Sequence, residues 1–191
     1  MPGLRERRHA ETKQAIRDAA FALFDKVGFG ATTMDQIADR SGVSRSTLYR
    51  RFANKDEIVL AVANEWLASW DGAVAAVESD APLGHVIAEG CLAVAHSIDD
   101  SRELVLASYR ALRESPSLQV AGAATTGWLN RFVDLVASKE PALDAVEVRT
   151  IAGAYLGAID TMMLDWAEHD GATSIVDSTR RIMDRLAPIL P

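Results

Sequence analysis

Apolar residues recur at intervals of three and four along most of the chain, the spacing of helices that bury one face. Ile16, Ala19, Ala20, Leu23, Phe24 and Val27 form one such stripe and predict a helix over 11–27, closed by Gly28. Phe29 then reads as a buried plug. Ile37 and Ala38 mark the inner face of a short helix over 33–40, and Leu48 with Phe52 marks another over 44–52. Ile58, Val59, Val62, Trp66, Leu67, Trp70 and Val74 predict a longer helix over 56–77. Beyond the helix-breaking segment 79–82, further helices are predicted over 83–97, 101–115, 118–139, 144–169 and 173–186. Ser115-Pro116-Ser117, Pro141 and Asp170-Gly171 supply the breaks between them. Gly122 and Gly127 imply a kink, or a loop, within 118–139. Residues 1–10 have no apolar face and are expected to be mobile. The pattern implies an all-α chain of about nine helices.

One stretch has a more specific pattern. TTMDQIADRSGVSRSTLYRRFANK, ending at Lys55, reads as two short helices joined by a tight turn. Thr33 is placed to cap the first, with Gln36 closing a capping box. Gly42 sits where the turn needs a residue tolerant of positive φ, Val43 is its apolar plug, and Ser44 can cap the second helix. Leu48 and Phe52 face inward, which leaves Arg45, Ser46, Thr47, Tyr49, Arg50 and Arg51 as hydrogen-bond donors on the rest of the helix. A helix with one buried edge and a donor-rich outer face fits the major groove of DNA.

These residues resemble the helix-turn-helix of the TetR family of transcriptional regulators. The resemblance rests on Thr33, Ile37-Ala38, Gly42-Val43-Ser44, Thr47-Leu48-Tyr49, Phe52 and Asn54-Lys55, and covers about the first third of the chain. It implies an N-terminal three-helix DNA-binding unit, here 1–55, and a C-terminal helical ligand-binding and dimerisation bundle, here 56–191. Arg45 suits guanine O6 and N7, and Ser46 lies near the groove floor. Tyr49 can meet a thymine methyl or a phosphate. Thr47 and Lys55 are expected to clamp phosphates, and Thr33 to cap and touch phosphate together. Arg50 and Arg51 point about 100° apart, so at least one is expected on phosphate or in solvent. Arg5, Arg7 and Arg8 form either a minor-groove arm or a solubilising tail.

Charge sharpens this reading. The net charge is −7, but residues 1–55 hold 11 Lys/Arg against 6 Asp/Glu, a balance of +5, while 56–191 hold 9 against 21, a balance of −12. Basic charge thus gathers around the helix-turn-helix. An apolar content of 49% in 191 residues argues against disorder. No apolar run is long enough to span a bilayer and the N-terminus is charged, so a cytoplasmic location is expected. Cys91 stands alone, which excludes an intramolecular disulfide and a thiolate-rich metal site. No HExxH or nucleophile elbow is present. His85, His96 and His169 are scattered, Ser108-Tyr109 has no paired base, and Asp160 with Asp165 makes no carboxylate pair. His96, Asp99 and Asp100 read as a solvated turn. An enzyme, a bound metal and a cofactor are not expected.

The C-terminal part carries the candidate effector lining: Trp66, Trp70, Cys91, Tyr109, Trp128, Phe132, Met162 and Trp166. This aromatic and sulfur-rich set favours an apolar or planar ligand, although each residue alone also fits ordinary core packing. Family resemblance implies that the last two helices form a homodimer, with Ile151, Tyr155, Gly157, Ile159, Ile175, Thr179, Ile182 and Leu186 at the interface. Gly153 and Gly157, flanked by Ala154 and Ala158, would permit close helix approach. The expected function is a sequence-specific regulator on an inverted-repeat operator, a repressor released by a small apolar ligand. The alternative is a helical module that binds protein or lipid and never reads DNA.

Overall fold

The computed structural model describes residues 3–115 and 126–188. Among these the regular elements are helices: α1 (Leu4–Val27), α2 (Met34–Ser41), α3 (Arg45–Arg51), α4 (Lys55–Ala76), α5 (Leu83–Asp100), α6 (Arg102–Glu114), α7 (Thr126–Lys139), α8 (Ala145–Glu168) and α9 (Ile175–Leu186). The expected helix start at 118 and the kink near Gly122 lie outside the described residues. Helix α1 begins seven residues earlier than its apolar stripe predicts. Leu4 to Ala10 contains good helix formers and no Gly or Pro, so a helix packed further along propagates backwards through it without an apolar face. Helix α5 runs on to Asp100, and Ile98 is buried rather than part of a turn.

The chain divides into two compact units. One comprises residues up to Ala63 together with 107–115, and the other comprises 64–106 and 126–188. The expected boundary after Lys55 falls at the first residue of α4, whose first turns belong with the N-terminal helices. Helices α4 and α6 each begin in one unit and end in the other.

In the N-terminal unit, α1 buries Ile16, Ala19, Ala20, Phe21 and Phe24. Phe24 meets Phe21 and Phe29 edge-on, with ring centroids 5.2 and 4.9 Å apart. Helix α2 packs on α1, and α3 packs on α2. Ile37, Ala38, Leu48 and Phe52 are buried at these junctions. Short helices of 8 and 7 residues are too short to be stable alone, so their ends are closely fastened. Thr33 and Gln36 form the full capping box, with the Gln36 amide donating to Thr33 Oγ1 at 3.2 Å and the Thr33 amide to Gln36 Oε1 at 2.8 Å. Gly42 takes φ +70° at the end of α2, and Ser44 Oγ accepts the Thr47 amide at 3.2 Å.

In the C-terminal unit, α9 lies against α5 and α8, and α7 lies against α8 and α5. Trp70, Leu83, Ile87, Cys91, Phe132, Val136, Val148, Ala152, Tyr155 and Met183 form its core. Trp70 packs directly on Gly90. A Cβ at that glycine would stand 2.6 Å from the indole, so α5 needs glycine there. Asp71 and Arg131 join α4 to α7 through paired bonds of 2.7 and 2.8 Å, and the guanidinium holds the Asp71 carboxyl below its usual range. Asp144 caps α8 with a second capping box.

Candidate nucleic-acid interface and effector core

Helix α3 presents Arg45, Ser46, Tyr49 and Arg50 outward as one exposed face. The spacing i, i+1, i+4, i+5 places them on one side because Leu48 and Phe52 anchor the other. Tyr49 is 52% exposed, an uncovered aromatic at the centre of a donor-rich surface. Arg45 Nε pairs with Asp35 Oδ1 at 3.1 Å, and both side chains are open to water. Such a pair is weak, so the guanidinium is oriented rather than locked. Arg50 is exposed, whereas Arg51 is half-buried. Its Nε and Nη1 are buried with no partner among the described residues, which sets Arg51 apart from the outer face. Thr47 is also half-buried, and its Oγ1 accepts a hydrogen bond from Ser44 Oγ at 2.9 Å. Arg7 and Arg8 are exposed on the first turns of α1.

Lys55 departs from expectation. Its ammonium donates to Phe29 O at 2.5 Å, Thr32 O at 3.0 Å and Gly30 O at 3.2 Å. It also sits 4.4 Å from the centre of the Phe29 ring. An ammonium has three donors, and all three are committed to the loop between α1 and α2. In this structure Lys55 holds the loop between α1 and α2. Its place in the first turn of α4, unfavourable by the helix dipole, is explained by those carbonyls. Glu114, at the end of α6, grips the same loop from another side: its Oε2 accepts the Phe29 amide at 3.0 Å. Sequence reading missed Glu114 because its partner lies 85 positions away.

The candidate effector lining is only partly brought together. Trp70, Cys91 and Phe132 share the C-terminal core, with Trp128 packed at its edge. Trp128, Trp70, Phe132 and Tyr155 form a run of rings, with successive centroids 5.9, 4.6 and 6.5 Å apart. Trp66 and Met162 are half-buried outside this cluster, and Tyr109 belongs to the N-terminal unit. Trp166 has a structural task. Its indole N–H donates to Thr173 O at 2.9 Å, and the Arg102 guanidinium lies 5.6 Å from its ring while donating to Gly171 O. Together they fasten the turn between α8 and α9, where Asp170 and Gly171 both take positive φ. Burial in this apolar core pushes the Cys91 thiol up to about 12, so it is not a nucleophile at neutral pH. An open depression lined by residues including Glu78, Asp80, Pro82, His85 and Glu89 contains none of the expected lining.

Tyr155 was expected at a dimer interface but is 1% exposed and central to the core. Its hydroxyl is buried without a partner among the described residues, and burial raises its ionisation above the usual phenol range. Leaving such a group unpaired costs about 1–3 kcal/mol, which phenylalanine would avoid. Ile175 and Thr179 are likewise buried within the protomer, where Thr179 Oγ1 lies 3.8 Å from Met162 Sδ. Ile151, Ile159, Ile182 and Leu186 pack against the core. Of the expected interface set, Gly157 alone is exposed. It belongs to a different face of α8, where Val146, Thr150, Gly153, Ala154, Gly157, Thr161 and Leu164 are exposed together with the acidic Asp160 and Glu168. Val146 is 73% exposed and Leu164 53%.

Among the described residues no group of three or more His, Cys, Asp or Glu is placed to hold a metal. No helix among them is long and apolar enough to cross a membrane.

Comparison with known proteins matches two stretches of the chain. The family described as "Bacterial regulatory proteins, tetR family" matches residues 16–62, and the "MftR C-terminal domain" matches 81–191. The chain is 35% identical over 85 residues to the HTH-type transcriptional regulator RutR of Escherichia coli, an overlap of 44% of this chain and 40% of RutR. It therefore spans less than half the length of that relative. It is 25% identical over 181 residues to the proposed mycofactocin biosynthesis transcriptional regulator MftR of Mycobacterium tuberculosis, covering 93% and 90% of the two chains. FadR from Bacillus subtilis, solved with stearoyl-CoA, superposes with a TM-score of 0.71 at 19% identity, covering 91% of this chain and 96% of FadR; that likeness is one of fold. A helix-turn-helix with its caps in place, followed by a helical core that matches a regulator's C-terminal domain over more than half of the chain, leads to one assignment: the chain belongs to the TetR family of transcriptional regulators.

Proposed function

We propose that this protein is a homodimeric repressor that binds an inverted-repeat DNA operator and releases it when a small apolar ligand enters the C-terminal core. The observation that carries the DNA reading is the outer face of α3, with Arg45, Ser46, Tyr49 and Arg50 exposed on a helix anchored by Leu48 and Phe52. Arg45 reads a base, Tyr49 meets a thymine methyl or phosphate, and Thr33 and Arg50 contact the backbone. The exposed small-residue face of α8 supports a second copy there, because Val146 and Leu164 are otherwise left in water. The run of rings in the core supports an apolar effector, as does the fold shared with FadR, which was solved with stearoyl-CoA. Release is supported by the α1–α2 loop. The first residue of α4 and the last of α6 both hold it, and both helices extend into the C-terminal unit. A shift of either helix is therefore felt next to Thr33, where α2 begins.

Selection of bound genomic fragments, followed by gel-shift on the recovered duplex, tests the reading. Arg45→Ala is expected to lose roughly 1–3 kcal/mol per half-site on the operator and much less on scrambled DNA. Equal affinity of the parent for operator and scrambled duplex at several salt concentrations would reject sequence-specific binding.

A further inference from the structure

Tyr155 is a core residue whose hydroxyl the packing leaves unused. Its ring stacks on Phe132 at an interplanar angle of 28°, a task phenylalanine performs equally well. Its hydroxyl is buried and unpartnered among the described residues, in a cluster whose other buried side chains carry no carbonyl, carboxylate or hydroxyl oxygen. The hydroxyl is aimed at the first turn of α5. It is the nearest atom to the position a Cβ would take on Gly84, 3.6 Å away. That turn is itself short of acceptors. The N-cap is Pro82, which makes no side-chain cap bond; its carbonyl accepts the His85 and Val86 amides at 3.0 and 3.1 Å, which leaves the Leu83 and Gly84 amides without an acceptor within the helix. The phenol therefore presents a donor beside the first turn of α5 in an otherwise apolar, ring-lined core, and Gly84 places no side chain against it.

We infer that the effector is an apolar, planar molecule carrying one acceptor oxygen, a carbonyl or carboxylate, and that Tyr155 Oη donates to that oxygen beside the first turn of α5. This rests on the proposal that the C-terminal core takes an apolar ligand, and it names that ligand's polar group. A purely hydrocarbon ligand leaves the hydroxyl as unsatisfied as before. A ligand oxygen satisfies it, so recognition gains most from the atom the core itself lacks. The phenol acts as donor throughout, because burial keeps it protonated.

The test uses a matched pair of probes, 1-indanone and indane, which differ in one carbonyl. Each is titrated by calorimetry into the full-length parent and into Tyr155→Phe, with no DNA present. The parent is expected to bind indanone, and the variant to bind it roughly tenfold more weakly, while the affinity for indane is unchanged. Thermal unfolding of unliganded Tyr155→Phe is expected at or above the parent's temperature, since the variant removes an unpaired hydroxyl. Failure of the parent to bind indanone, or equal changes for the two probes, overturns the inference. So does a clear loss of unliganded stability in the variant, which would reveal a partner for the hydroxyl. These measurements are independent of operator binding, so a negative result here leaves the DNA reading standing, and loss of the DNA reading does not alter them.

Discussion

Lys55→Met separates two roles for one ammonium. Methionine keeps most of the aliphatic stem over Phe29 and removes the charge. The Phe29 and Thr32 carbonyls that Lys55 holds are partly buried, and the Gly30 carbonyl is exposed. A hydrogen bond to a charged group contributes about 1.5–3 kcal/mol. The exposed bond adds little, the cation–π contact adds about 0.5–1 kcal/mol, and the freed carbonyls regain some water. The expected loss is about 2–3 kcal/mol, or a 30- to 150-fold change in an opening equilibrium. Tryptophan fluorescence is the wrong probe, because Trp66, Trp70, Trp128 and Trp166 all lie in the C-terminal unit. Amide hydrogen exchange reads the unit directly. Without DNA, the amides of Leu48 and Phe52, bonded within α3 and its cap, should exchange faster by that factor, while the amides of α8 and α9 should not. A phosphate clamp predicts the reverse: unchanged exchange, and a salt slope of DNA binding reduced by about one unit per protomer. That second pattern would refute the loop-clamp assignment.

Gly157→Leu adds no clash within the protomer, since nothing lies within 4 Å of a Cβ there, and it removes a helix-weakening glycine. Protomer stability should hold or rise, while sedimentation should show a dimer weakened by roughly tenfold or more; an unweakened dimer would place the interface elsewhere. Gly171→Ala should destabilise the C-terminal unit by about 1–3 kcal/mol in urea titration followed by tryptophan fluorescence. The alanine would need φ +64° and would bring a methyl 2.8 Å from Trp166 and 2.9 Å from Arg102. Cys91 should resist iodoacetamide at pH 8 until the protein unfolds. Because its pKa is about 12 in the fold against 9.0 ordinarily, the folded state retains a proton that the unfolded chain loses; the thiol's contribution is intact below pH 9 and falls between pH 9 and 12 in denaturation measured across that range.

What could be read from the sequence was what is decided within a few residues. The caps at Thr33 and Ser44, the left-handed Gly42 and the inward pair Leu48 and Phe52 depend on neighbours at most four positions away. Lys55 could be placed on its helix but not assigned a task, because its carbonyl partners lie 23 to 26 residues upstream. Trp166 looked like pocket lining for the same reason. An indole at helical spacing does not reveal that its N–H is spent on Thr173 and its face on Arg102.

Helix α8 shows where periodicity itself runs out. Its apolar residues are too many for one stripe: Val148, Ala152, Tyr155, Met163 and Trp166 are buried, Ile151, Leu156 and Ile159 are partly covered by the core, and Val146 and Leu164 remain outside. A helix apolar around most of its circumference has no orientation that sequence alone can choose. The bulkiest side chains suggested themselves for the interface, yet bulk is what the protomer's own core requires. Along the middle of the helix the residues left outward are small, Gly153, Ala154 and Gly157 with Thr150 and Thr161, apart from Asp160. Small residues bury little area by themselves, so their outward placement contributes little to one protomer. It gains value when another helix backbone comes close, which is why the proposed dimer belongs on this face and Tyr155 remains available for a ligand inside.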